Sequence, residues 1–116
     1  FRADETRAEA LRRAGATITA VDVGADGVLS LPQVLSVLAA RGITRLMAEG
    51  GPTLANALAK ADLIDDFTLM TGPEAIGEGV PAIGPDLAAW LRRADVARRQ
   101  DTTWGADRAE IFERNR

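Results

Sequence analysis

Glu49-Gly50-Gly51-Pro52-Thr53-Leu54 is the stretch whose residue types and spacing could do chemistry. Two adjacent glycines let a backbone come close to a ligand and take dihedrals that other residues resist. Pro52 suits the first turn of a helix, where its missing N–H is not needed. A helix beginning there presents unpaired N–H groups and the positive end of its dipole, a combination that favours phosphate. Glu49 places a carboxylate at the end of the short apolar run that precedes the turn, and in α/β sheets that end of a strand is where ligands sit. The spacing matches neither a P-loop, because no Gly-Lys-Ser/Thr follows, nor the G-x-G-x-x-G dinucleotide fingerprint. Two readings of these residues stand side by side, a nucleotide-phosphate turn and an ordinary tight connection from strand to helix.

The totals narrow the chemistry further. The chain has neither Cys nor His, which removes thiol nucleophiles, disulfides, imidazole bases and the usual zinc sites, so no metal site is expected. What remains is carboxylates, hydroxyls, backbone or a bound cofactor. A net charge of -3 and isolated pairs such as Arg12-Arg13, Arg92-Arg93 and Arg98-Arg99 argue against nucleic acid as a partner. With 116 residues, 47% hydrophobic and 27% charged, the composition is that of one small soluble domain. No apolar run is long enough to span a bilayer and no signal peptide is visible, so no membrane partner and a cytoplasmic location are expected. The chain opens on Phe1 without a Met, and Phe1 reads as the end of a strand that begins elsewhere; a fragment of a longer domain is expected.

The elements that must position the turn follow from periodicity and caps. Asp4 caps a helix from Glu5 to about Ala14, with Ala8, Leu11 and Ala14 as its apolar stripe and Gly15 as its stop. Residues 16–21 alternate, with β-branched side chains among them, and read as a strand, and Asp22 to Gly27 as a turn. Ser30 and Gln33 form a capping-box pattern ahead of a helix burying Val34, Leu35, Leu38 and Ala39, which Gly42 ends. Residues 44–48 read as a second strand, residues 54–61 as a helix, and residues 67–71 as a further strand in which Met70 is expected in the core. Residues 72–85 form a long glycine-bearing loop. Asp86 is expected to cap a short helix carrying Leu87, Trp90 and Leu91. Residues from Val96 to Glu113 read as a terminal antiparallel hairpin turning at Gly105-Ala106-Asp107, with arginines blunting its edge. Strand and helix in alternation predict an α/β domain with a mostly parallel sheet.

With that order in place, the chain resembles the C-terminal part of the reductase domain of bifunctional riboflavin-biosynthesis deaminase/reductases, which has a dihydrofolate-reductase-like fold. The residues that carry the resemblance are Leu46-Met47-Ala48-Glu49-Gly50-Gly51-Pro52-Thr53-Leu54, Leu58, Ala61-Asp62-Leu63-Ile64-Asp65-Asp66, Leu69, Gly72-Pro73 and the loop from Ile76-Gly77. They span 42–84, while the flanking segments match in order and pattern only. The resemblance implies one partial domain over 1–116, its earlier strands missing: a fragment of the fold with helices flanking a mostly parallel sheet and a C-terminal antiparallel hairpin.

By the same resemblance, Gly50, Gly51, Pro52, Thr53 and Leu54 would contact the phosphates and nearby ribose of NADPH, and Glu49 would face the pyrimidine substrate or the nicotinamide pocket. In dihydrofolate reductases the corresponding Gly-Gly bond is typically cis. The implied reaction is the reduction of 5-amino-6-(5-phosphoribosylamino)uracil to its ribityl counterpart, in a homodimer or higher homo-oligomer, with the fragment inactive by itself and no single catalytic residue assigned. Two alternatives accompany it. One keeps the fold and changes the substrate to a pterin or another small carbonyl or imine compound. The other is a non-catalytic self-association module that uses its hairpin edge and exposed apolar surface.

Overall fold

The computed structural model describes residues 4–24 and 27–115. Phe1, expected to end a strand, lies outside the described residues, as do Ala25 and Asp26 within the expected turn. The chain forms two compact units, Phe1–Arg45 and Leu46–Arg116. No helix among the described residues is long and apolar enough to cross a membrane.

The first unit holds α1 (Glu5–Arg13) and α2 (Leu31–Ala40). Asp4 caps α1 as its sequence predicts, accepting from Thr6 N at 3.0 Å and Arg7 N at 3.3 Å. Both helices end in a Schellman arrangement that needs a left-handed residue. Gly15 (φ 90°) and Gly42 (φ 83°) supply it, and the amides of Gly42 and Ile43 reach back to the carbonyls of Ala39 and Leu38.

Only half of the expected capping box forms at α2. Ser30 Oγ accepts from Gln33 N at 3.4 Å, but the Gln33 carboxamide turns to Asp22, accepting from its N–H and donating to its carboxylate at 3.0 Å. The carbonyl of Asp22 takes the Ser30 amide that the glutamine leaves. Of the expected apolar faces, Ala8 is buried, whereas Leu11 and Ala39 are exposed and Val34, Leu35 and Leu38 are half-buried.

The second unit holds α3 (Gly51–Lys60), β1 (Asp66–Thr71), α4 (Pro85–Leu91), β2 (Val96–Trp104) and β3 (Asp107–Arg114). Its sheet has three strands in the order β1-β3-β2, antiparallel at both joints. The expected hairpin is present, closing with Trp104 opposite Asp107 around Gly105 (φ 65°), with a bulge between Arg98 and Gln100. The mostly parallel sheet is not. Residues 16–21 and 44–48 take no ladder partner among the described residues and lie in no strand; Val23 and Leu29 make one isolated bridge instead. An apolar alternating run becomes a strand only when a neighbour completes its hydrogen bonds, and its own composition cannot supply one.

The core of this unit is Ala59, Ile64, Leu87 and Trp90, with Ala55, Leu58, Phe67, Leu91, Val96 and Phe112 packed against it. Phe67 and Phe112 face each other across β1 and β3, ring centroids 6.4 Å apart and tilted by 40°. Met70 is 46% exposed, contrary to its expected place in the core. Side chains alternate along a strand, and Met70 falls on the face opposite Phe67 and Leu69. Asp86 likewise does not cap α4. It lies inside the first turn, after Gly84 and Pro85.

Charges gather on the hairpin. Arg108 grips Asp101 with two parallel bonds of 2.9 and 2.7 Å, and Arg98 bridges Asp101 and Glu110 at 3.1 and 2.8 Å. The Arg108 guanidinium holds the Asp101 carboxyl below the usual carboxylate range, although these side chains are largely solvated. A folded-state value below the unfolded one means that the stabilisation is full above about pH 4 and fades as pH falls through the folded value. Thermal unfolding followed from pH 6 to pH 2 should therefore show an acid-side drop that is shallower in Asp101→Asn. Equal slopes for the two proteins would show that the grip contributes nothing.

Candidate functional site

Residues 44–49 approach the turn as exposed backbone that lies in no helix or strand and takes no ladder partner among the described residues, with Met47 81% exposed. Gly50 is the N-cap of α3, at φ -80° and ψ 10°, and Gly51 opens the helix at φ 73°. Pro52 occupies the first turn, half-buried, as its fixed φ and absent N–H suit. Thr53 is exposed and Leu54 half-buried.

The two glycines are needed for different reasons. A Cβ on Gly50 would run into Leu54, meeting its Cβ at 2.9 Å and its Cγ at 3.2 Å and coming closer still to one of its methyls. Nothing lies within 4 Å of the same position on Gly51, whose constraint is instead its left-handed dihedral. Leu54 thus packs under the first glycine while the second faces open space.

That open side is where the chemistry is available. No side chain caps α3, so no side-chain acceptor competes for the N–H groups of its first turn. Glu49 is exposed immediately before the turn and makes no ion pair or hydrogen bond among the described residues. The turn fits a dinucleotide phosphate in three respects: close approach is unobstructed, the helix start is unclaimed, and the dipole has the right sign. The Gly50–Gly51 peptide bond is trans, as are the others among the described residues, so the cis bond typical of dihydrofolate reductases is not adopted here.

The far end of α3 is fixed by residues whose role is invisible in local sequence. Asp62 adopts φ 59°, the conformation glycine fills in α1 and α2, and completes a third Schellman ending, with Asp62 N and Leu63 N bonded to the carbonyls of Ala59 and Leu58. Its carboxylate pairs with both Arg93 and Arg114, and Arg93 also holds Asp95 at 2.8 and 2.7 Å. Asn56, in the body of α3, bonds to the start of α4. An asparagine in a helix interior is a weak helix former, and that was the one sequence signal that could have marked it.

The geometry predicts distinguishable stability effects at the two glycines. Gly51→Ala should cost about 1–2 kcal/mol, the strain of a Cβ in the left-handed region. Gly50→Ala should couple to Leu54. In urea unfolding, the double variant Gly50→Ala/Leu54→Ala should lose less stability than the two single losses added together. Strict additivity would mean that Leu54 does not pack under Gly50.

The family model described as the RibD C-terminal domain matches residues 2–102, from the start of α1 through most of β2 and across the whole glycine turn. None of the curated proteins compared with the chain matches it. The described elements are four helices and a three-stranded antiparallel sheet, the sheet lying in the second unit, and the chain belongs to the RibD C-terminal domain family, the reductase domain of the riboflavin-biosynthesis deaminase/reductases.

Proposed function

We propose that the chain is part of an NADPH-dependent reductase that converts 5-amino-6-(5-phosphoribosylamino)uracil to its ribityl form, with residues 1–116 as a portion of one reductase domain. The observation that carries this reading is the unobstructed Gly51 at φ 73° in front of an uncapped α3, within the family's reductase domain. NADPH, when bound, supplies the hydride for C1 of the ribosyl group, whose ring C–O bond opens as the oxygen takes a proton.

The residues of this chain bind and orient. Gly50 and Gly51 admit a phosphate to backbone distance, and Pro52 starts the helix whose N–H groups then face it. Thr53 offers an exposed hydroxyl beside the same turn, and Leu54 supports it from below. Glu49 is an acceptor-only carboxylate, suited to the N–H donors of an aminopyrimidine. No side chain here is assigned to proton transfer.

A pterin or another carbonyl or imine compound in place of the pyrimidine would use the same turn and a different partner for Glu49. Full-length protein supplied with NADPH deuterated at the transferred position should place deuterium on C1 of the ribityl product. Glu49→Gln should raise the KM for the pyrimidine roughly tenfold, the loss expected for a charged hydrogen bond, with NADPH affinity unchanged. Turnover of a pterin and not of the pyrimidine would select the alternative substrate class.

A further inference from the structure

α4 starts without a cap of its own. Gly84 precedes it in an extended conformation, φ -81° and ψ 174°, and contributes no side chain. Its free amides are taken by α3 instead. Asn56 Oδ1 accepts from Asp86 N at 2.9 Å and from Leu87 N at 3.2 Å, and Asn56 Nδ2 donates to the Asp86 carboxylate at 2.7 Å. One side chain therefore supplies from a distant helix what an N-cap residue supplies locally.

The junction is close-packed as well as bonded. A Cβ on Gly84 would lie 2.5 Å from Asn56 Oδ1 and 2.8 Å from Asn56 Cγ. Glycine is required there by space alone, since any residue adopts those dihedrals.

Its position ties it to the turn. Asn56 lies about 7.5 Å along α3 from Gly51, at roughly 1.5 Å per residue. Gly84 ends the loop that leaves β1, whose residues 72–82 are all exposed and belong to no helix or strand. The downstream end of that loop is thus packed against the helix that begins at the glycine pair, and the first turn of α4 just after it is bonded to that helix.

We infer that Asn56 is a positioning residue for the cofactor turn, an inference that rests on the reductase reading above. By fixing α4 and the loop end against α3, it sets the tilt of α3 and so the direction in which the first amides of that helix point. A phosphate held by those amides is sensitive to that direction, because hydrogen bonds weaken steeply off axis. Asn56 itself touches neither ligand.

Three full-length variants test this. Asn56→Ala removes all three bonds. Gly84→Ala pushes a methyl group into Asn56 and breaks the junction from the other side. Asn56→Asp/Asp86→Asn exchanges donor and acceptor while keeping the same three bonds available.

The expected result is faster amide hydrogen exchange at Asp86 and Leu87 in the two single variants. With it should come an NADPH KM raised roughly five- to tenfold, the size of one lost hydrogen bond, and kcat within about twofold. The exchanged pair should restore both readouts. Faster exchange with unchanged NADPH KM would overturn the positioning role and leave Asn56 as a structural cap. Exchange unchanged in both single variants would show that the junction does not hold α4, and would overturn it too. Absence of NADPH binding in the unmodified protein would overturn the reductase reading and this inference with it, an outcome distinct from normal binding that the variants fail to alter.

Discussion

Packing of α4 onto α3 is the contact on which the second unit depends. Leu87 and Trp90 are the most completely buried large side chains, and they lie against Ala55, Leu58 and Ala59 of α3 and Ile64 beyond it. Burying a leucine fully is worth about 1.5–3 kcal/mol, and a tryptophan more in proportion to its area. The alanines of α3 let the helices come close, which in turn allows Asn56 to reach the amides of α4 and forces Gly84 to be glycine. The same packed pair meets the sheet through Phe67 and Phe112. The glycine turn is therefore the free end of a helix fixed along its length and, through Asp62, at its other end. Rigidity behind a flexible sequence is what lets two glycines hold one conformation.

What the sequence disclosed is what short-range chemistry decides. Asp4, Gly15, Ser30, Gly42 and Pro52 each do what their type dictates within a few residues, so both ends of α1 and α2 and the start of α3 were legible. The closing hairpin was legible too, from alternation and Gly105. The parallel sheet was not, because residues 16–21 and 44–48 have strand composition but no partner among the described residues, and composition does not report a partner. Met70 was misplaced because an apolar residue in a strand fixes its face only once the register is known. At the site, the differing demands on Gly50 and Gly51 were hidden until Leu54 was seen beneath the first of them. Asn56, Asp62 and Arg114 were hidden for a related reason: each acts on residues far away in the chain.

The family match and the sheet divide the chain differently. The match ends at residue 102, yet β3, which pairs with both β1 and β2, lies wholly beyond it. β3 carries Ala109, fully buried between its neighbours, and Arg114, nearly buried and bonded to Asp62 at the end of α3. The strand outside the match thus anchors the helix that carries the matched glycine turn. Membership in the family and integrity of the candidate site rest on overlapping but distinct parts of the chain.

On the proposed reductase reading, a nucleotide phosphate sits against the Gly50-Gly51 backbone. Calorimetric titration of NADPH into the full-length protein, beside a Gly51→Val variant, addresses it most directly. A β-branched side chain at φ 73° would fill the open space in front of α3, so binding should weaken more than roughly tenfold, the loss expected when at least one charge-assisted hydrogen bond is blocked. Equal affinity in the two proteins would place the cofactor elsewhere, and no binding to the unmodified protein would contradict the reductase account and favour a self-association module.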